Sequence, residues 1–137
     1  MRYNARMTTP ATSAKIAIIE DDIVIAQMYR MKFEAEGFTV QTADTGKKGV
    51  ELAEKMRPDI ILLDIRMPEM NGDEALKKIR ATDWGKHVPV LVLTNLGEEE
   101  APQELKALGV HSYIVKADFT PRQVVERVKR ALASATA

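Results

Sequence analysis

The sequence predicts an α/β fold, a doubly wound five-stranded parallel sheet with helices on both faces, and three observations lead to it. Short apolar runs alternate with segments whose apolar residues recur at helical spacing, roughly five times along the chain. Several of the runs are apolar throughout, the pattern of strands buried on both faces. Polar and charged groups, carboxylates foremost, follow these runs directly, at the strand ends where open α/β sheets bind ligands.

Each element follows in order. Lys15 to Ile19 reads as the first strand and stops at Glu20-Asp21-Asp22. Ile25, Met28, Tyr29 and Phe33 then mark a helix, with Gly37 as its stop. Phe38 to Thr42 alternates as a strand does. Thr45 to Met56 is a second helix, weakened by Gly46 and Gly49. Pro58-Asp59 punctuates the chain before Ile60 to Leu63, a buried strand running straight into Asp64. Asn71-Gly72 opens a short helix carrying Ala75, Leu76 and Ile79, and Val88 to Leu93 is the next apolar run. A helix is expected over Glu98 to Leu108, with acids in its first turn, Pro102 early enough to be tolerated and Gly109 as its cap. Ser112 to Val115 is the last strand, and Thr120-Pro121 starts a helix with Val124, Val128 and Leu132 on one face.

Right-handed crossovers between parallel strands make this one domain, expected over residues 15–134. Residues 1–14 hold Arg2 and Arg6 but no apolar core of a signal peptide, and are expected to form a flexible N-terminal tail. Met7 is an alternative start.

Composition narrows the function classes. Lys and Arg number 20 and Asp and Glu 20, so the formal charge is +0, unlike the basic footprint of a nucleic-acid binder. The absence of cysteine excludes disulfides, thiolate metal sites and thiol nucleophiles, and fits a cytoplasmic protein. No apolar run is long enough to insert into a membrane.

The groups after the runs are Glu20, Asp21 and Asp22, then Asp64, Thr94 and Lys116. Carboxylates gathered in one cleft raise one another's pKa values unless a cation compensates. Mg²⁺ suits that role, since it takes hard carboxylate oxygens and welcomes a phosphate oxygen. Lys116 adds a point charge and Thr94 a hydroxyl, both useful to a phosphoryl group, and an ionised Asp64 is a competent nucleophile toward phosphorus.

The motifs Ile18-Ile19-Glu20-Asp21, Leu63-Asp64-Ile65-Arg66-Met67-Pro68-Glu69-Met70-Asn71-Gly72, Leu93-Thr94 and Tyr113-Ile114-Val115-Lys116 resemble, in order and spacing, the receiver domains of two-component response regulators. The likeness runs from Lys15 to about Leu132. It implies a flavodoxin-like receiver of strand order 2-1-3-4-5, in the manner of single-domain chemotaxis regulators. By the same resemblance Asp64 is the phosphoacceptor. Asp21, Asp64 and the Arg66 backbone carbonyl bind Mg²⁺, and Glu20 acts through water. Thr94 and Tyr113 form the switch pair, and Lys116 contacts the phosphoryl oxygens. Arg66 and Leu96 occupy positions that tune hydrolysis in the family. The implied partners are a histidine kinase or histidine phosphotransfer protein and an unnamed output protein, met through the face of the fourth helix, fifth strand and fifth helix.

Plainer readings apply elsewhere. Asp22 is expected to be a helix cap, His87 and His111 loop residues, Glu98 to Glu100 a helix-start charge run, and Trp84 has no assigned role. Pro68 and Gly72 read as turn formers. Two departures from the family pattern stand out. Ala117 replaces the usual proline after the lysine, so a trans Lys116–Ala117 bond and a re-routed loop through Asp118 are expected. Asn95 replaces the usual small residue after Thr94 and is expected to narrow access to the phosphoryl group.

The leading expectation is a single-domain phosphorylation switch, a phosphoacceptor rather than a turnover enzyme, with at most self-catalysed transfer and slow autodephosphorylation. A phosphorelay intermediate has the same sequence signature, and Ala117 and Asn95 motivate a phosphorylation-independent module of the same fold. A haloacid-dehalogenase-like phosphatase needs an acid two residues after the nucleophile, where Arg66 stands.

Overall fold

The computed structural model describes residues 14–67, 69–95, 97 and 103–136. Five parallel strands form one sheet: β1 (Lys15–Ile19), β2 (Thr39–Ala43), β3 (Ile60–Leu63), β4 (Val90–Thr94) and β5 (Ser112–Val115). Their order is β2-β1-β3-β4-β5, so the chain changes winding direction between β1 and β3. The helices are α1 (Ile23–Ala35), α2 (Gly46–Met56), α3 (Gly72–Arg80), α4 (Glu104–Ala107) and α5 (Pro121–Thr136).

The period-two alternation of strand side chains divides the apolar core into two layers. Ile16, Ile18, Leu62, Leu91, Leu93 and Ile114 pack with Phe33 of α1 and with Val124 and Val128 of α5. Ala17, Ile19, Ile61, Leu63, Val90 and Val92 face the other way, with Ala53 of α2, Leu76 and Ile79 of α3 and Leu105 of α4. Sheets covered on both sides explain why β1, β3 and β4 are apolar at nearly every position.

Local chemistry sets the helix ends. Asp22 caps α1 by accepting from the Ile25 N–H at 3.1 Å, and Thr45 caps α2 through the Lys48 N–H at 3.0 Å. α1 closes in a Schellman motif. Gly37, at φ 95°, donates to the Glu34 carbonyl, and Phe38 N–H to that of Phe33. The Phe33 and Phe38 rings meet edge-on at 5.6 Å, the apolar contact that accompanies this motif. This wrap draws Phe38 into the helix terminus, so β2 starts at Thr39 rather than Phe38. Gly49, read as a weak point of α2, instead permits close packing, for a Cβ there would lie 2.6 Å from Ile19.

Other boundaries also differ from expectation, with β2 and β4 each running one residue further, to Ala43 and Thr94. β4 begins at Val90 because Pro89 brings no N–H to a ladder and the Val88 carbonyl is taken by Arg80. In the expected helix over 98–108, residues 98–102 lie outside the described set. The described helix is Glu104–Ala107, with Gln103 in a turn before it and Leu108 N–H closing onto the Glu104 and Leu105 carbonyls. The expected tail lies outside the described residues except for Ala14, whose carbonyl accepts from Thr39 N–H at 3.0 Å.

Candidate functional site

Ladder bonds that continue past β1 and β3 bring the acids together. Ile19 pairs with Leu63, Asp64 N–H donates to the Ile19 carbonyl and Glu20 N–H to that of Ala43, each at 2.9 Å. Glu20 and Asp64 thereby end on neighbouring strands at the same height. Exposures of 4% and 7% place both under the surface, while Asp21 stands exposed. One oxygen from each of Glu20, Asp21 and Asp64 lies within 4.8 Å of the others.

Lys116 follows β5, yet its ammonium reaches across β4 to sit 2.6 Å from Glu20 Oε1 and 3.5 Å from Asp64 Oδ2. The second Glu20 oxygen accepts from Asp22 N–H at 3.0 Å. Burial pushes the Glu20 carboxyl up to about 7, against the pull of the Lys116 and Asp22 donors and with the help of the Asp64 charge. Burial alone would lower the Lys116 ammonium, but the bond to Glu20 and the charges of Asp64 and Glu20 leave it above its ordinary value.

Thr94 ends β4 between these groups and is 1% exposed. Tyr113 is half-buried on β5, packs against the second core layer, and donates its hydroxyl to the Gly97 carbonyl at 3.4 Å. Arg66 lies two residues beyond Asp64 with an exposed side chain, and Asn95 is likewise exposed. Pro68, Leu96 and Glu98 to Glu100 fall outside the described residues.

The loop after Asp64 is pinned by the start of α3. Gly72 N–H donates to the Ile65 carbonyl at 2.7 Å, and Asn71 Oδ1 lies 3.5 Å from the Met67 N–H. A Cβ on Gly72 would fall 2.2 Å from the Asp64 carbonyl oxygen. Gly72 therefore serves contact distance rather than turn formation, for its φ is not in the left-handed region. Glu69, at φ 72°, carries the left-handed residue of this loop.

The Lys116–Ala117 bond is trans, as expected without a proline, and the chain turns through a 3₁₀ segment over Lys116–Asp118. His87 and His111 stand away from the acids, lining a cavity beside Arg80 at the opposite end of the sheet. Trp84 lies under the Arg57 guanidinium, 5.2 Å from its ring centre. Sequence reasoning missed Arg80, which donates to the carbonyls of Leu108, Gly85, Val88 and Gly109 at 2.7–3.2 Å. A lone arginine in the last turn of a helix gives no hint of four acceptors.

A parallel sheet of this order with acids, threonine and lysine at the carboxyl ends of its strands has the architecture of a receiver domain. Residues 16–129 match the response regulator receiver domain family, and the chain belongs to it. It is 38% identical over 120 residues to the transcriptional regulatory protein SrrA of Staphylococcus aureus, covering 88% of this chain and 48% of that protein. The chain thus spans about half the length of the curated relatives it matches. Among solved structures, the chemotaxis response regulator CheY4 of Vibrio cholerae superposes with a TM-score of 0.80 at 34% identity, over 87% of this chain and 98% of that one. The receiver domain of sensor histidine kinase PA1611 from Pseudomonas aeruginosa, solved with magnesium in its active site cleft, gives 0.80 at 26%, over 88% and 98%. Receiver domains as a family interact with histidine kinases or phosphotransfer proteins. Among the described residues no helix is long and apolar enough to cross a membrane.

Proposed function

We propose that this chain is a phosphorylation switch whose Asp64 accepts a phosphoryl group from a histidine kinase or histidine phosphotransfer protein, with Mg²⁺ as cofactor. The position of the Lys116 ammonium, 2.6 Å from Glu20 and 3.5 Å from Asp64 within a carboxylate cluster, carries the reading. Three carboxylate oxygens within 4.8 Å are the hard donors Mg²⁺ takes, and the exposure of Asp21 suits an ion that keeps several waters. Asp21 and Asp64 would hold it with the Arg66 carbonyl. Glu20 would act through water, since both of its oxygens already take donors. When bound, the ion supplies positive charge to the transferring phosphoryl group.

An ionised Asp64 oxygen attacks phosphorus. The new P–O bond forms as the bond from phosphorus to the donor imidazole nitrogen breaks, and the electron pair leaves with the imidazole. Lys116, a mobile point charge on a flexible stem, turns from the carboxylates to the phosphoryl oxygens. The Thr94 hydroxyl moves toward the same group and Tyr113 repacks with it. That pair biases a pre-existing two-state equilibrium read by an output protein on α4, β5 and α5. Asn95, beside Thr94, narrows the approach, so Asn95→Ala is expected to change the rates of phosphorylation and hydrolysis.

In this reading the chain is a cytoplasmic phosphoacceptor, capable of self-catalysed transfer and slow autodephosphorylation but not a turnover enzyme. Overlap with nearly all of CheY4 supports a single-domain regulator, and overlap with half of SrrA supports a receiver joined to an output module. The mass of the protein in its native cell separates the two.

Incubation with Mg²⁺ and acetyl phosphate, followed by intact mass, tests the chemistry. One phosphoryl group is expected, dependent on Mg²⁺ and absent from Asp64→Asn. Transfer onward to a phosphotransfer histidine would make the chain a phosphorelay intermediate. No phosphoryl gain from acetyl phosphate or from a kinase, in a protein shown to bind Mg²⁺, would make it the phosphorylation-independent module that Ala117 and Asn95 favour.

A further inference from the structure

Something other than a proline ring must fix the turn that carries Lys116. The residue after it is Ala117, which leaves φ free to vary, and both Ala117 and Asp118 are exposed. The closure that ends the turn is long, from Phe119 N–H to the Lys116 carbonyl at 3.4 Å.

Three contacts lie immediately downstream. The Phe119 ring packs against the core layer formed by α1, the sheet and α5. The Arg127 guanidinium, on α5, covers that ring 4.9 Å from its centre. Thr120 and Gln123 close a reciprocal capping box: Thr120 N–H donates to Gln123 Oε1 at 2.8 Å, and Gln123 N–H to Thr120 Oγ1 at 3.2 Å. The box sets where α5 begins and the ring sets how deep the chain before it sits. Lys116 lies three residues from Phe119, so the height of the ring decides whether the ammonium meets Glu20 and Asp64.

We propose that Phe119 and Arg127 form a clamp that positions Lys116 in the acidic pocket, a role for which the chain carries no proline. Both are positioning residues, acting on the pocket through Lys116. The inference rests on the receiver reading for its effect on phosphorylation, but not for its effect on the lysine.

The test uses the full chain, its lysine side chains isotopically labelled, as wild type, Arg127→Ala, Arg127→Lys and Phe119→Leu. Two quantities are read: the Lys116 Nζ resonance at one fixed pH without Mg²⁺, and the rate of Mg²⁺-dependent phosphorylation by acetyl phosphate. Arg127→Ala and Phe119→Leu are expected to move the Lys116 resonance toward that of an exposed lysine while those of Lys55 and Lys77 stay in place. Both should lower the maximal phosphorylation rate roughly threefold, the size of one exposed cation–π contact, with the Mg²⁺ dependence unchanged. Arg127→Lys, which keeps a cation over the ring, should recover most of the loss. An unmoved Lys116 resonance in a folded Arg127→Ala protein would overturn the clamp, whatever the rates. A shifted resonance in a protein whose wild type takes no phosphoryl group would keep the clamp and overturn the receiver chemistry. If Phe119→Leu fails to fold, the two Arg127 variants decide.

Discussion

The Lys116 ammonium lies closer to Glu20, at 2.6 Å, than to the expected phosphoacceptor Asp64, at 3.5 Å. The side chains of this pair are 12% and 4% exposed, so little water screens it. The lysine is thus parked on one acid, within reach of the other.

Removing that lysine exposes the cost of a buried acid. Lys116→Met is expected to destabilise the chain by about 2 kcal/mol above neutral pH, the scale of a lost hydrogen bond to a charged group. The loss should shrink at pH 6, where Glu20, with its carboxyl pushed up to about 7, takes a proton instead. Urea unfolding at both pH values measures the difference; equal losses would contradict it.

Glu20 also sets a slope of its own. Its folded value of about 7 lies above the ordinary 4.5, so the folded chain binds this proton more tightly than the unfolded one. The resulting contribution to stability is complete below 4.5 and is lost as pH rises through 7. Stability without divalent ions, wild type minus Glu20→Gln, should therefore fall across that window. A difference independent of pH there would refute the assignment.

Gly72→Ala should be severe for one methyl group. The added carbon would meet the Asp64 carbonyl oxygen at 2.2 Å, and overpacking of this kind costs roughly 1–3 kcal/mol. Because the collision pushes on the backbone of Asp64, phosphoryl gain should fall beyond what the lowered Tm explains. Thermal melts beside the intact-mass assay check both.

Arg80→Met should separate stability from chemistry. Four carbonyls lose their donor, at an expected total of about 2–3 kcal/mol, discounted because the group is only half-buried. These bonds lie at the amino ends of β4 and β5, away from the acids, so phosphoryl gain below the melting range should stay near wild type.

Much of this was legible in the chain, for physical reasons. Ile60 to Leu63 admits no strand face exposed to water, and the alternation with helical spacing requires crossovers, so a covered parallel sheet follows. The acids announce themselves because each comes directly after an apolar run. What stayed hidden depends on distance through space. Gly72 looks the same in sequence whether it makes a turn or clears a carbonyl. Phe38 belongs to a strand by alternation, yet the Schellman bond to Phe33 claims it for the helix terminus. The Lys116–Glu20 contact is hidden in the same way, since a lysine after the last strand points to phosphate and not to an acid after the first.

Glu20 and Lys116 stand 96 residues apart, at the ends of the first and last strands. A nascent chain on the ribosome therefore displays its three carboxylates well before the cation that balances them has been translated. Until β5 emerges and docks beside β4, the pocket lacks its lysine. The compensating charge of the pocket arrives only with the final strand, so truncated or half-made copies carry the acids without their lysine.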